Sequence, residues 1–467
     1  MSPSPSRTPN ATDQSWPVPR RTTALVLFCC WLGILAEGYD VGVLGAVLPA
    51  LAEYREWGPL TKLELGALGS QALIGMLIGA LFIGTLSDLI GRKKMLLLSM
   101  LIFTTTQLGA AFAPTPEIFG LFRLLGGLGM GGIIPVAAAL TIEYSPPRRR
   151  ALNYGIMYSG YSLGIVAAAL VALLVLDSHG WRWVIGIGSV PVLLIPILAL
   201  MLPESMEYLV QKGKIDQART LADRLRIRPF RESDWVHPPA AGESVRRGPR
   251  EVMGILFSRP FAAATAFFWI SLFCGMLLVY GLNTWLPSIM KAAGYQLGSS
   301  LMFLLVFSLA SAAGGLLLGW MADRWGRKLV LVVFFALGAV CILGLMNKNS
   351  LLVNYGLVAM AGIGSISVSL VLTAWVADYY PAYARATAVG WALSFARIGA
   401  IAGPIVGGWI AGAQLPFQYN FVLFAVVGLV SAIAIALIPR PPGDQRRSDP
   451  PVSGTDPDLV DEERVQV

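Results

Sequence analysis

The sequence predicts an all-α polytopic membrane protein, with twelve transmembrane helices arranged as two pseudo-symmetric six-helix halves. Three observations carry this reading. Hydrophobic residues make up 55% of the chain and charged residues only 13%, where a soluble domain carries about 25% charge. The apolar residues fall into twelve continuous runs, each near or above the roughly 20 residues that cross a bilayer. Two separate stretches of the chain also recur at one constant spacing of 235 residues.

Taken in order, residues 1–21 are rich in Ser and Pro and read as a disordered tail without a signal peptide. The N-terminal half, 22–202, holds spans expected at Thr22–Ala50, Leu63–Leu86, Met95–Ala113, Glu117–Tyr144, Ala151–Leu176 and Trp181–Leu202. A polar central loop covers 203–260. The C-terminal half, 261–438, holds spans expected at Phe261–Met290, Ser299–Ala322, Leu329–Met346, Leu351–Tyr379, Ala386–Gly412 and Phe417–Ile438. Residues 439–467, rich in Pro, Asp and Glu, read as a second disordered tail. The runs are continuous rather than alternating, so helices are expected and barrel strands are not.

The net charge of +8 is a topology signal rather than a nucleic-acid surface. With the N-terminus inside, 28 of the 35 Lys and Arg residues fall in inner segments and five in outer loops. By the positive-inside rule both termini are cytoplasmic, in a multi-pass protein of a cytoplasmic (plasma) membrane. Cys29, Cys30, Cys274 and Cys341 lie inside apolar runs without metal or disulfide spacing. Only two histidines, His179 and His237, are present. No metal, cofactor, Ser/His pair or nucleotide loop is expected, which excludes the common enzyme classes. The partners expected are a small solute, protons and lipid, and the chain is expected to be a monomer.

The repeat defines the halves. The loop after span 2 runs from Gly84 through Asp88 and Gly91 to Arg92 and Lys93; the loop after span 8 runs from Gly319 through Asp323 and Gly326 to Arg327 and Lys328. The end of span 4 gives Glu143, Tyr144, Pro146 and Arg150, and the end of span 10 gives Asp378, Tyr379, Pro381 and Arg385. Both pairs of segments are 235 residues apart, without gaps. Parallel halves of this kind place a solute site between them near the bilayer midplane. Asp88 and Asp323 stand at tight turns, each able to pair with the Arg four residues on or to meet a helix N-terminus. They are read as latches, and Glu143 with Arg150 and Asp378 with Arg385 as gate ion pairs.

Ionisable residues inside spans need a partner or a task. Glu37 and Asp40 share one face of span 1. By helix rise, Asp40 lies about 14 Å from the outer end of its span and Arg123 about 9 Å into span 4, depths that allow a pair. Glu37 is left nearer the midplane without an evident partner, the pattern of a proton carrier. Arg397 lies about 16 Å into span 11. Its repeat mate is Ser162, so the duplication does not account for the charge. A guanidinium at that depth matches a carboxylate bidentately, or an acid of span 1. Tyr154, Tyr158 and Tyr161 line one face of span 5, and Trp391 and Phe395 share span 11 with Arg397, aromatic walls suited to an aromatic carboxylate or to packing.

The paired Gly-x-x-x-Asp-x-x-Gly-Arg-Lys motif resembles the major facilitator superfamily over nearly the whole chain, and implies the major facilitator fold and alternating access. Within it, Glu37-Gly38-Tyr39-Asp40 in span 1, Asn283 to Pro287 ending span 7, and Tyr379 through Arg397 to Gly399 are similar to the aromatic acid:proton symporters. That family's span 1 motif usually opens with Asp; Glu37 keeps the acid and adds a methylene. The resemblance implies uptake of benzoate, a hydroxybenzoate or a similar acid with protons. It implies proton coupling by Glu37 and Asp40, and a substrate site drawn from Arg397, Arg123, Tyr39, Tyr158, Trp391 and Asn283. The alternatives left open are an importer of another organic acid or sugar-like solute, and a proton-coupled exporter.

Overall fold

The computed structural model describes residues 18–227, 235, 254–347, 349–413 and 415–440, without the side chains of 84, 85, 88, 151, 382, 383 and 386. Both expected tails therefore lie outside the described residues, apart from their inner ends. The described chain is helical, with no strand. Twelve helices are long and apolar enough to cross a membrane: Arg20–Leu51, Lys62–Ile83, Arg92–Ala111, Pro116–Glu143, Pro147–His179, Trp181–Met201, Arg259–Ala292, Leu297–Trp325, Arg327–Gly344, Leu351–Tyr379, Thr387–Gly412 and Gln418–Leu437. They are spans 1 to 12 below.

Local chemistry sets the span ends. Span 2 begins on a reciprocal cap, in which Thr61 accepts from the Glu64 amide and Glu64 from the Thr61 amide. Thr115 caps span 4, with Pro116 in the first turn, where its missing N–H costs nothing. Spans 2 and 3 and spans 8 and 9 turn on Gly91 and Gly326, with φ of +118° and +88°, values that a side chain would strain. The duplication extends to irregularities. Span 4 breaks at Gly131–Gly132, and span 10 carries a π turn at Ile363–Ser367, within the same stretch one repeat later.

Within each half, one glycine brings two spans together. A Cβ on Gly164 would strike the Leu35 carbonyl of span 1, and one on its repeat mate Gly399 would strike the Phe273 carbonyl of span 7. Between the halves, contact is concentrated at the end away from the central loop. There Gly45 packs on the Asn283 backbone, Ser70 Oγ donates to the Ile401 carbonyl at 2.7 Å, and Lys291 Nζ meets Glu53 Oε1 at 2.6 Å. The central-loop end is more open. Gly155 and Gly390, repeat mates on spans 5 and 11, each face open space there.

The central loop is more structured than its polarity suggests. Helices Met206–Gln211 and Ile215–Leu225 form within it. The first is fastened to the N-terminal half: Tyr208 Oη donates to the Leu89 carbonyl at 3.3 Å, and the preceding Glu204 accepts from the Lys93 amide at 2.8 Å.

Candidate functional site

Span 1 carries both acids on tightly packed backbone, since Gly38 lies directly against the Tyr161 backbone of span 5. Asp40 is paired: Arg123 Nη1 donates to its Oδ1 at 2.6 Å and Nη2 to its carbonyl at 3.3 Å. Both side chains are about 95% buried, with exposures of 4% and 5%. The depths read from the sequence are thus matched by a real pair. Arg123 is sealed within it, so no solute reaches the guanidinium in this conformation.

Glu37 differs. It is 0% exposed, and neither carboxyl oxygen has a hydrogen-bond partner. The opposite charge that bears on it is Arg397 from the other half. Arg397 is half-buried and forms no ion pair among the described residues. Tyr158 and Tyr280 are within electrostatic reach of both groups. Tyr158 stacks on Tyr161 at 5.8 Å between centroids and on Tyr154 at 6.1 Å. Tyr161 Oη donates to Tyr280 Oη across the halves at 3.1 Å. One acid, one guanidinium and a tyrosine wall therefore converge from spans 1, 5, 7 and 11. An arrangement of this kind offers a cation to an anionic group and a carboxyl to a proton. Tyr280 was not legible as a site residue; its only signal was its place three residues before Asn283, on a similar face of span 7.

Two expected members, Tyr39 and Trp391, stand elsewhere. Tyr39 turns away from Glu37, and its hydroxyl donates to the Val184 carbonyl of span 6 at 2.6 Å. Two residues along a helix are about 200° apart, so adjacency in the motif separates the side chains in space. Trp391 is 44% exposed, on the apolar stripe of Ile398 and Trp409, and stacks on Trp269 at 6.1 Å. It is six residues from Arg397, which is about 120° around the helix, so the two side chains leave span 11 in different directions. Asn283 is buried where spans 1 and 7 touch, with both amide atoms unpartnered.

The gate pairs are also corrected. Glu143 pairs with Arg92 at 2.8 Å rather than with Arg150. It also accepts from Ser205 Oγ at 2.7 Å and the Glu207 amide at 3.0 Å, while Arg92 reaches Glu207 at 2.9 Å. Asp378 pairs with Arg327 rather than Arg385. Both observed pairs tie a span's first residue to the end of the next span, which is close in space but distant in sequence. Asp323 is exposed and forms no ion pair among the described residues. The Asp88 side chain lies outside the described residues. Beside Arg327 and Asp378 a cavity of about 770 Å³ stands open, where the N-terminal half is covered by helix Met206–Gln211.

Comparison with known proteins agrees with this architecture. The Major Facilitator Superfamily model matches residues 30–346 and 299–457. The chain is 33% identical over 434 residues to the benzoate transport protein of Acinetobacter baylyi, covering 92% of this chain and 91% of that protein. It is 33% identical over 426 residues to the gentisate transporter of Corynebacterium glutamicum, covering 90% and 88%. Among solved structures, the partially occluded inward-open xylose transporter XylE of E. coli superposes with a TM-score of 0.70 at 16% identity, over 93% of this chain and 99% of that one. Twelve apolar spans, a duplicated helix-turn motif and relatives that are transporters of aromatic acids, not enzymes, lead to one conclusion: the chain belongs to the major facilitator superfamily.

Proposed function

We propose that the protein imports an aromatic carboxylate together with protons across the cytoplasmic membrane, by alternating access. The observation that carries this is Glu37, fully buried without a hydrogen bond, answered by Arg397 from the opposite half. The similarity to benzoate and gentisate transporters supports an aromatic acid as the solute. Substrate carboxylate and Glu37 compete for one guanidinium. When substrate occupies Arg397, Glu37 holds a proton; when substrate leaves, Glu37 pairs with Arg397 and gives the proton up. Substrate and proton then cross together. An inside-negative potential opposes a lone anion by about 2.3 kcal/mol per 100 mV, which one proton cancels and a second turns into a driving force.

The central-loop end is the cytoplasmic one in this reading, as the basic residues require. The structure then represents the inward-facing state. Arg92–Glu143 and Arg327–Asp378 brace each half's cytoplasmic end, while Asp88 and Asp323 serve the opposite state. The test is binding of benzoate and of benzamide to purified wild type and Arg397→Lys. Wild type should strongly prefer the acid, and the lysine variant should lose most of that preference because an ammonium lacks the planar fork. Equal affinity of wild type for acid and amide would remove Arg397 from the site.

A further inference from the structure

Tyr280 belongs to none of the motifs, yet it ties the tyrosine wall of span 5 to the opposite half. The bond from Tyr161 Oη to Tyr280 Oη, at 3.1 Å, joins the two halves. Tyr161 sits level with Gly38, whose Cβ position its backbone blocks, so the bridge crosses the bundle just beyond Glu37. A phenol has one hydrogen to give and lone pairs to accept. Tyr161 spends its hydrogen on Tyr280, and Tyr280 donates to no group among the described residues. Tyr161 is buried and Tyr280 half-buried, and Tyr280 shares the electrostatic surroundings of Arg397 and Glu37.

We infer that Tyr280 is a specificity-determining residue, which donates its hydroxyl hydrogen to a ring hydroxyl of the substrate, with Tyr161 positioning it. The preferred solute is then a hydroxylated aromatic carboxylate rather than the unsubstituted acid. This rests on the proposed function, in which Arg397 takes the carboxylate. A site built to hydrogen-bond a hydroxyl discriminates against the analogue without it, because the buried donor is left unpaired.

Calorimetric binding of benzoate, 3-hydroxybenzoate and 4-hydroxybenzoate to wild type, Tyr280→Phe and Tyr161→Phe tests this. Wild type should bind at least one hydroxylated acid about tenfold more tightly than benzoate, the worth of one hydrogen bond. Tyr280→Phe should bring the hydroxylated acids to within about twofold of benzoate, with Tyr161→Phe intermediate. Equal wild-type affinity for all three acids, or an undiminished preference in Tyr280→Phe, overturns the inference and leaves the proposed function standing. Proportionate loss of every acid in Tyr280→Phe assigns the residue to closure between the halves, and overturns it too. A wild type that binds none of the acids overturns the proposed function and this inference together.

Discussion

Arg92 and Glu143 meet at 2.8 Å, and the residues 235 positions further on, Arg327 and Asp378, form the same pair. The duplication has kept a bond between side chains that lie 51 residues apart. The two copies differ in setting. The side chains of the first pair are 16% and 3% exposed and those of the second 30% and 52%.

Burial should make the copies unequal in energy. Losing Glu143 strips an acceptor from Arg92, Ser205 Oγ and the Glu207 amide and leaves Arg92 to Glu207 alone, whereas an exposed pair is worth about 0.2–1 kcal/mol. Glu143→Ala is therefore expected to lower thermal stability in detergent far more than Asp378→Ala. Similar losses in both variants would mean that helix Met206–Gln211 does not protect the first pair.

The two acids of span 1 should separate into structure and coupling. Asp40→Asn leaves Arg123 buried without its counter-charge, with an expected loss of about 3 kcal/mol in stability. Glu37→Gln removes a carboxyl that has no hydrogen bond, so its melting temperature should be unchanged or raised. In proteoliposomes Glu37→Gln should exchange substrate across the membrane but fail to accumulate it on an imposed pH gradient. Wild-type accumulation by this variant would end Glu37's role as the proton carrier.

Closure away from the central loop should depend on Gly45. A side chain there strikes the Asn283 backbone of the other half, so Gly45→Val should favour the outward-open arrangement without unfolding either half. Spin labels at the exposed positions Arg55 and Ala292 should report a longer distance in the variant. Gly164→Val, which clashes inside the N-terminal half, should instead lower stability. An unchanged label distance in Gly45→Val would show that the closed contact tolerates the side chain.

Helical phase predicts which aromatic residues matter. Trp391 shares an exposed stripe with Ile398 and Trp409, about 120° around span 11 from Arg397, so Trp391→Leu should leave substrate affinity within about twofold. Tyr158→Leu removes part of the tyrosine wall beside Arg397 and should weaken binding about tenfold or more. Equal effects in an aromatic acid binding assay would place both side chains in the same environment.

Span number, the two halves and the chemistry available at the midplane were determined by the sequence alone. These properties are one-dimensional: hydrophobic length marks a span, a constant spacing marks a duplication, and rise per residue gives depth. Depth was enough to match Asp40 with Arg123. Tertiary structure decided what depends on rotation about each helix and on which helix stands beside it. It turned Tyr39 toward Val184 and Trp391 away from Arg397, although both sit in the expected motifs. It joined Arg92 to Glu143 and Arg327 to Asp378 instead of to sequence neighbours, because the start of one span and the end of the next share a membrane edge. It brought Tyr280 to Tyr161 from the other half, since only the packing of one half against the other sets that distance.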